Sequence, residues 1–372
     1  MRNQLSFLAV AVLLLAGCNS VSVPVTVTNP SPFDRSEVVR IDLSKVAASQ
    51  PEINAANAVV CDSLGHKLNC DVDSTGTLLF VASVPANAKC SFKLKAGKRD
   101  TKPMVASRAV PEREDDYSFE NFQIAFRAYG KGLESQTISP GFDVWVKTGG
   151  KLVCDDWYEH AKREPDYYHI DRGDGKDCYK VATTLGCGGS APLVADTLAK
   201  SDHNYSSFVV NEHNAIEQSF TLKYAPWKAG DDTVSLDENI TIPASGNFVK
   251  VVDVYHGNFN TIDVAAGIVV HDAEAKENGG NFVSVWEKPS DSKDPASDGM
   301  IGTAVYMPSA NLVYTDVVPK HSVCVKTVKP GEELTYYFGA GWSKGNIKDA
   351  TAWSAEISKL IGSIQRPLVV EY

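Results

Sequence analysis

The sequence predicts an all-β protein: a small N-terminal β-sandwich, then a large antiparallel two-sheet sandwich of supersandwich-like form, closed by a C-terminal helix. Three observations carry this. Short runs rich in β-branched and aromatic residues, many alternating apolar and polar, follow one another from Val21 to Phe338 with turn residues between them. Helical patterns do not interleave with them, which disfavours a parallel α/β sheet. Only near the end does the period change, where Trp353, Ile357, Leu360 and Ile361 share one helical face and Asp349 is placed to cap it.

Before the first strand lies a leader, residues 1–17. Arg2 is its positive end, Leu5 to Leu15 its apolar run, and Leu15-Ala16-Gly17-Cys18 follows. The run is too short to span a bilayer and has the layout of a signal peptide. Small residues before a cysteine resemble a bacterial lipoprotein signal, so Cys18 is expected to carry lipid and hold the protein to the cell envelope.

Residues 18–98 read as the small β domain. Val21 to Thr28, Val38 to Leu43, Leu78 to Val84 and Cys90 to Leu94 are its strands, and Val59 to Cys70 is a hairpin turning near Gly65. Folding about Gly65 and His66 sets Cys61 opposite Cys70, the expected disulfide, with Cys90 as a competing partner. An exported chain permits such a bond, and the seven cysteines besides Cys18 leave an odd thiol. Residues 99–113 are basic, with Pro103 and Pro111, and read as a linker or as a surface loop within one domain. From 114 to 372 strands recur at short spacing; Pro192 to Lys200 reads as a short surface helix.

The formal net charge is −10. An acidic body argues against a nucleic-acid partner, and an acidic sugar must be met by a local basic pocket. Cys154, Cys178 and Cys187 show no C-x-x-C spacing, so no zinc site is expected. No Gly-x-Ser-x-Gly elbow occurs, and Leu185 to Gly189 follows no nucleotide-binding pattern.

Two segments are candidates for chemistry. Trp157 to Gly189 crowds Tyr158, His160, Tyr167, Tyr168, His169, Tyr179 and Lys180 among glycines. Tyrosine and histidine exchange protons with hydroxyls and carbon acids, and aromatic faces stack on sugar rings. The segment reads equally as an ordered loop that satisfies its own backbone. Within it, Asp171-Arg172-Gly173-Asp174-Gly175-Lys176-Asp177 has the alternating acids of a calcium loop, but two internal cations and no closing glutamate. The second segment is Glu120 to Gly130. On a strand, Asn121, Gln123, Ala125, Arg127 and Tyr129 share one face. Arg127 there could meet a uronate carboxylate bidentately, or be salt-bridged on a solvated face.

Asn121 with Arg127-Ala128-Tyr129-Gly130 and Asp143-Val144-Trp145, then Tyr168 through Val181, Leu222 through Trp227, and Tyr336 through Lys344 together resemble the domain-of-unknown-function family numbered 4861. Cys178, Cys187 and Arg172 depart from the expected pattern. The resemblance implies a partner of unsaturated glucuronyl hydrolases that works on uronate-containing polysaccharides, through dehydration at a terminal uronic acid. The expected reaction is β-elimination, with His169 or Tyr179 as base and acid. Arg127 faces the carboxylate, and Asn121, Tyr129, Tyr168, Lys180 and Trp342 bind substrate. No cofactor is expected. The rival readings are a non-catalytic carbohydrate-binding surface lipoprotein resting on Tyr167, Tyr168, Trp227 and Trp342, a glycoside hydrolase, and a structural envelope protein.

Overall fold

The computed structural model describes residues 21–315 and 320–372. The leader and Cys18 lie outside the described residues. Strands dominate, as expected, and all the strand pairings in the named sheets are antiparallel.

The small sandwich packs two sheets. One runs in the order Val369–Glu371, Ser22–Thr28, Lys89–Ala96, Ala58–Cys61; the other runs Arg35–Asp42, Thr77–Val84, Cys70–Val72. Alternation turns Val25, Val27, Val39, Ile41, Phe80 and Leu94 into a shared core. Two boundaries differ from expectation. The last strand of the chain returns to pair with the first, Thr26 opposite Glu371, so the small unit is built from both ends. Residues Val105–Val110 are a strand of the large unit, opposite Asp116–Asn121, and not a linker.

The Cys61–Cys70 bond is not formed; both are buried free thiols. The hairpin turns tighter than expected, its register shifted by three residues, with Asp62 N–H bonded to His66 O at 3.0 Å and Gly65 in a left-handed conformation at φ +91°. Cys61 therefore sits opposite Lys67, and the chain crosses to the other sheet before Cys70 pairs with Phe80.

In the large unit an eight-stranded sheet, from Ser207–His213 at one edge to Ala273–Asn278 at the other, faces two five-stranded sheets. Phe220, Ile240, Val251 and Phe338 from the first meet Phe119, Phe126, Phe142, Val264 and Ile268 from the others. A parallel bridge, Phe142 to Gly186, stitches the two smaller sheets. The segment expected as a helix at 192–200 is a hairpin, Ser190–Val194 with Thr197–Leu198; Ala195 and Asp196 at φ +46° and +59° make its turn.

Helix α1 is Leu43–Ser49, α2 is Cys154–Ala161, and α3 is Ala350–Gln365. The expected Asp349 cap forms, its carboxylate accepting from Ala352 N–H at 2.8 Å. Trp353 is buried and stacks on Phe248, centroids 5.3 Å apart and 7° from parallel, which presses α3 onto the outer face of the eight-stranded sheet.

Candidate functional site

The sheet of strands Gly175–Asp177, Asp143–Lys147, Ile124–Ala128, Asp116–Asn121 and Val105–Val110 has two unlike faces. One carries Phe119, Phe126 and Val144 into the main core. The other carries Asp116, Glu120, Arg127, Asp143, Trp145, Lys147 and Asp177. Register brings these together: Arg127 lies opposite Asp143, and Trp145 opposite Asp177. A flap of residues 148–174, including α2 and the single turn Tyr167–His169, covers that face through Trp157, Tyr158 and Tyr168. Gly175 is required where the flap rejoins the sheet. Its φ is +127°, and a Cβ would stand 2.0 Å from Val146 O.

Arg127 is the centre of the buried face. Its Nη2 donates to Asp143 at 2.6 Å and Asp177 at 2.9 Å, and Asp116 lies 3.9 Å from Nε. The rings of Tyr129, Trp145 and Tyr168 stand 5.0, 5.1 and 5.7 Å from the guanidinium carbon. Arg127 is therefore not the free uronate anchor expected from the sequence: it is 4% exposed and already neutralised by carboxylates. Among the described residues its Nε and Nη1, the Trp145 indole N–H and the Tyr158 hydroxyl have no hydrogen-bond partner, so the cluster is polar beyond what its own members satisfy.

Burial, reinforced by the neighbouring Asp177, pushes the Asp143 carboxyl up to about 7. Burial likewise pushes Asp177 and Asp116 up to about 6, against the pull of Arg127. Carboxyls in that range exchange protons near neutrality. The sequence reading missed them as site residues. Their signal was the alternation that puts Asp143 on the face of Trp145, and Asp177 within the Tyr168–Val181 block.

His169 is joined to this cluster and remains at its mouth. Its Nδ1 lies 3.2 Å from the Asp177 carbonyl oxygen and 3.8 Å from the Asp177 carboxylate, with the side chain 39% exposed. A carbonyl accepts only, so Nδ1 carries the proton and Nε2 presents its lone pair. Tyr129 is half-buried beside Arg127, its hydroxyl accepting from Nη2 at 3.4 Å. Arg113 lies over Tyr129 and bonds Asp116 at 3.0 Å. Lys180 is exposed three residues beyond Asp177.

The other expected site residues lie elsewhere or are spent. Asn121 ends the preceding strand; its Oδ1 accepts from Gln123 and Ile124 N–H, and its Nδ2 donates to Pro243 and Gly246 carbonyls, so it fastens a turn. Tyr168 is buried, stacked on Trp145 at 4.7 Å. Tyr179 is 3% exposed, edge-on to His271, and cannot reach a substrate as acid or base. Trp342 is buried with its N–H on Asp298 O at 2.7 Å, and Trp227 is buried with its N–H on Ala199 O, so neither forms an aromatic platform. In the acidic loop, Asp171 pairs with Lys344, Asp174 with Lys151 and Asp177 with Arg127, so its carboxylates diverge. Among the described residues no three His, Cys, Asp or Glu side chains gather as a metal set.

A second carboxylate pair lies inside the sandwich. Glu238 stands directly opposite Asp253, both buried, with Ser190, Tyr224, Tyr255 and Tyr336 around them. The cavity beside them, lined by Ser190, Tyr224, Trp227 and Glu238, measures about 10 Å³. That is room for about one water. No sugar reaches this pair.

Fold and site together define a two-unit antiparallel β-sandwich protein with a lidded, proton-holding Arg–Asp–His cluster. The chain belongs to the family described as "Domain of unknown function (DUF4861)", whose model matches residues 27–370. It is 28% identical over 365 residues to "Uncharacterized protein P7" of Formosa agariphila, covering 92% of this chain and 90% of that one. Two solved structures from Enterococcus faecalis share the fold at 10% identity. One is a protein in the glycosyl hydrolase family 38, at TM-score 0.51, and the other an alpha-mannosidase, at 0.50. Each match covers 94% of this chain, which spans about half of those two chains, 47% and 46%.

Proposed function

We propose that this protein is carbohydrate-active and acts on uronic-acid-containing oligosaccharides by β-elimination at a terminal uronate, anchored to the cell envelope through lipid on Cys18. The sugar class is supported by the family resemblance and by the fold held in common with two proteins named as glycosidases. The observation that carries the reaction is His169, half-exposed at the mouth of the cluster, with Nε2 unengaged among the described residues and Asp177 behind Nδ1.

His169 Nε2 takes the C5 proton, the C–H electrons form the C4=C5 double bond, and the C4 substituent leaves with its electron pair. Asp177 favours the imidazolium that results. Tyr129, against Arg127, is the donor at hand for the departing oxygen. The developing enolate needs a cation on the uronate carboxylate. Lys180, exposed just beyond Asp177, takes this role from Arg127, which instead fixes Asp143 and Asp177.

Incubating the protein with uronate oligosaccharides and following the absorbance of the conjugated double bond tests the proposal. The wild type should produce it, and His169→Ala should lower kcat by roughly 10²- to 10⁴-fold. No absorbance change on any uronate oligosaccharide would leave the second reading, sugar binding without turnover. That reading is favoured by the full burial of Asp143 and near-full burial of Asp177.

A further inference from the structure

A cleft of about 680 Å³ opens between the small sandwich, α3 and the outer face of the eight-stranded sheet. Clefts of roughly 300–1,000 Å³ enclose small ligands and favour boundaries between units. It lies apart from the Arg127 cluster, and none of the residues proposed for elimination lines it.

Strand register sets its floor. Thr241 lies opposite Lys250, Lys250 opposite Tyr337, and Tyr337 opposite Tyr306. Residues directly opposed on neighbouring strands share a face, so these four form a row across four adjacent strands. Tyr306 is buried and Tyr337 half-buried, their rings stacked with centroids 6.1 Å apart at 26°. The inner tyrosine thus braces the outer one, which lines the cleft.

The cleft's charges are mostly spent on one another. Arg35 pairs with Glu37, Arg40 with Glu217, and Lys359 with Glu356. Asp34 is engaged by the Ala86 N–H. Lys250 is exposed and makes no ion pair among the described residues. A braced aromatic face and a cation that is uncommitted among the described residues, on the same opening, fit one ligand chemistry: a sugar ring with an anionic substituent.

We infer that this cleft binds an acidic saccharide, with the ring lying on Tyr337 and the anionic group at Lys250. The assignment rests on the reading that the ligands are acidic oligosaccharides, and it places a binding site away from the elimination site. The anion could be a carboxylate or a sulfate, and the ligands chosen separate the two.

Calorimetric titration tests it, with a glucuronate oligosaccharide, a sulfated neutral oligosaccharide and the unsulfated parent. Tyr337→Ala should weaken binding of the preferred acidic ligand roughly three- to tenfold, as expected for a lost aromatic stacking partner. Lys250→Met should weaken it about tenfold, abolish the preference over the neutral parent, and remove most of the salt dependence. Lys250 is exposed and Tyr337 half-buried at the cleft, and equal melting temperatures confirm that the variants fold. Wild-type affinity in both variants overturns the assignment while leaving the elimination proposal standing. Binding through the cleft with no double-bond absorbance sinks the elimination instead. A wild type that neither binds nor converts any acidic oligosaccharide removes both.

Discussion

Glu238 and Asp253 face each other across adjacent strands in the apolar interior, bonded to hydroxyls and, among the described residues, to no cation. Burial raises both carboxyls, and Asp253 lifts Glu238 further; against the pull of the surrounding hydroxyls, Asp253 is pushed up to about 7 and Glu238 well above its ordinary value. The unfolded chain gives up these protons near pH 4. Stability from holding them is therefore full below about pH 4 and is lost as pH rises through about 7. Asp116, Asp143 and Asp177 act in the same direction. Glu238→Gln removes one titrating group and keeps an amide for the tyrosine hydroxyls. Its melting temperature should fall less between about pH 5 and pH 8 than that of the wild type. An unchanged slope would assign the pH dependence to Asp253 and the Arg127 cluster without Glu238.

The flap is held by an ion pair more than by its own sequence. Helix α2 starts at Val153, which has no side-chain cap to offer. Glu120 supplies it from the sheet below, accepting from Val153 N–H at 2.9 Å and Cys154 N–H at 2.7 Å. The same carboxylate meets Lys147 Nζ at 2.6 Å, and both side chains are at most 2% exposed. Glu120→Ala leaves a buried ammonium short of its partner and two amides unsatisfied. It should cost roughly 3–5 kcal/mol in denaturant unfolding, with faster proteolysis inside 148–174. A loss below about 1 kcal/mol would show that Trp157, Tyr158 and Tyr168 hold the flap by packing alone.

The two units are tied together because the last strand returns to the first described one. Val369–Glu371 closes the edge of Ser22–Thr28. Arg35 in the small sandwich donates to the Arg366 carbonyl at 2.7 Å, at the end of α3, and Arg40 pairs with Glu217 in the large sheet. Ending the chain after Arg366 removes that edge strand and its ladder. With each lost hydrogen bond worth about 1 kcal/mol, the truncated protein should lose roughly 1–3 kcal/mol. Protease cuts should appear first within 21–98, before the large unit opens. Uniform digestion of both units would mean that α3 alone couples them.

Alternation and turn chemistry are local, and they were enough to place the β class, most strands, the hairpin about Gly65 and the Asp349-capped helix. They also place Glu238 among Val234, Leu236, Ile240 and Ile242 on an inward face, a pattern readable without coordinates. They brought Arg127 and His169 under suspicion, because charge and aromatic rings crowd those segments. What surrounds Arg127 was not readable, since its partners Asp143 and Asp177 stand 16 and 50 residues away on other strands. Charge compensation is a property of strand register, which no short window contains. The same holds for Val105–Val110, whose strand exists only because Asp116–Asn121 lies beside it, and for Cys61 and Cys70, near in sequence yet assigned to different sheets. The cleft at Lys250 belongs wholly to the assembled molecule, because its walls come from both units and from the helix that the last strand pulls into place.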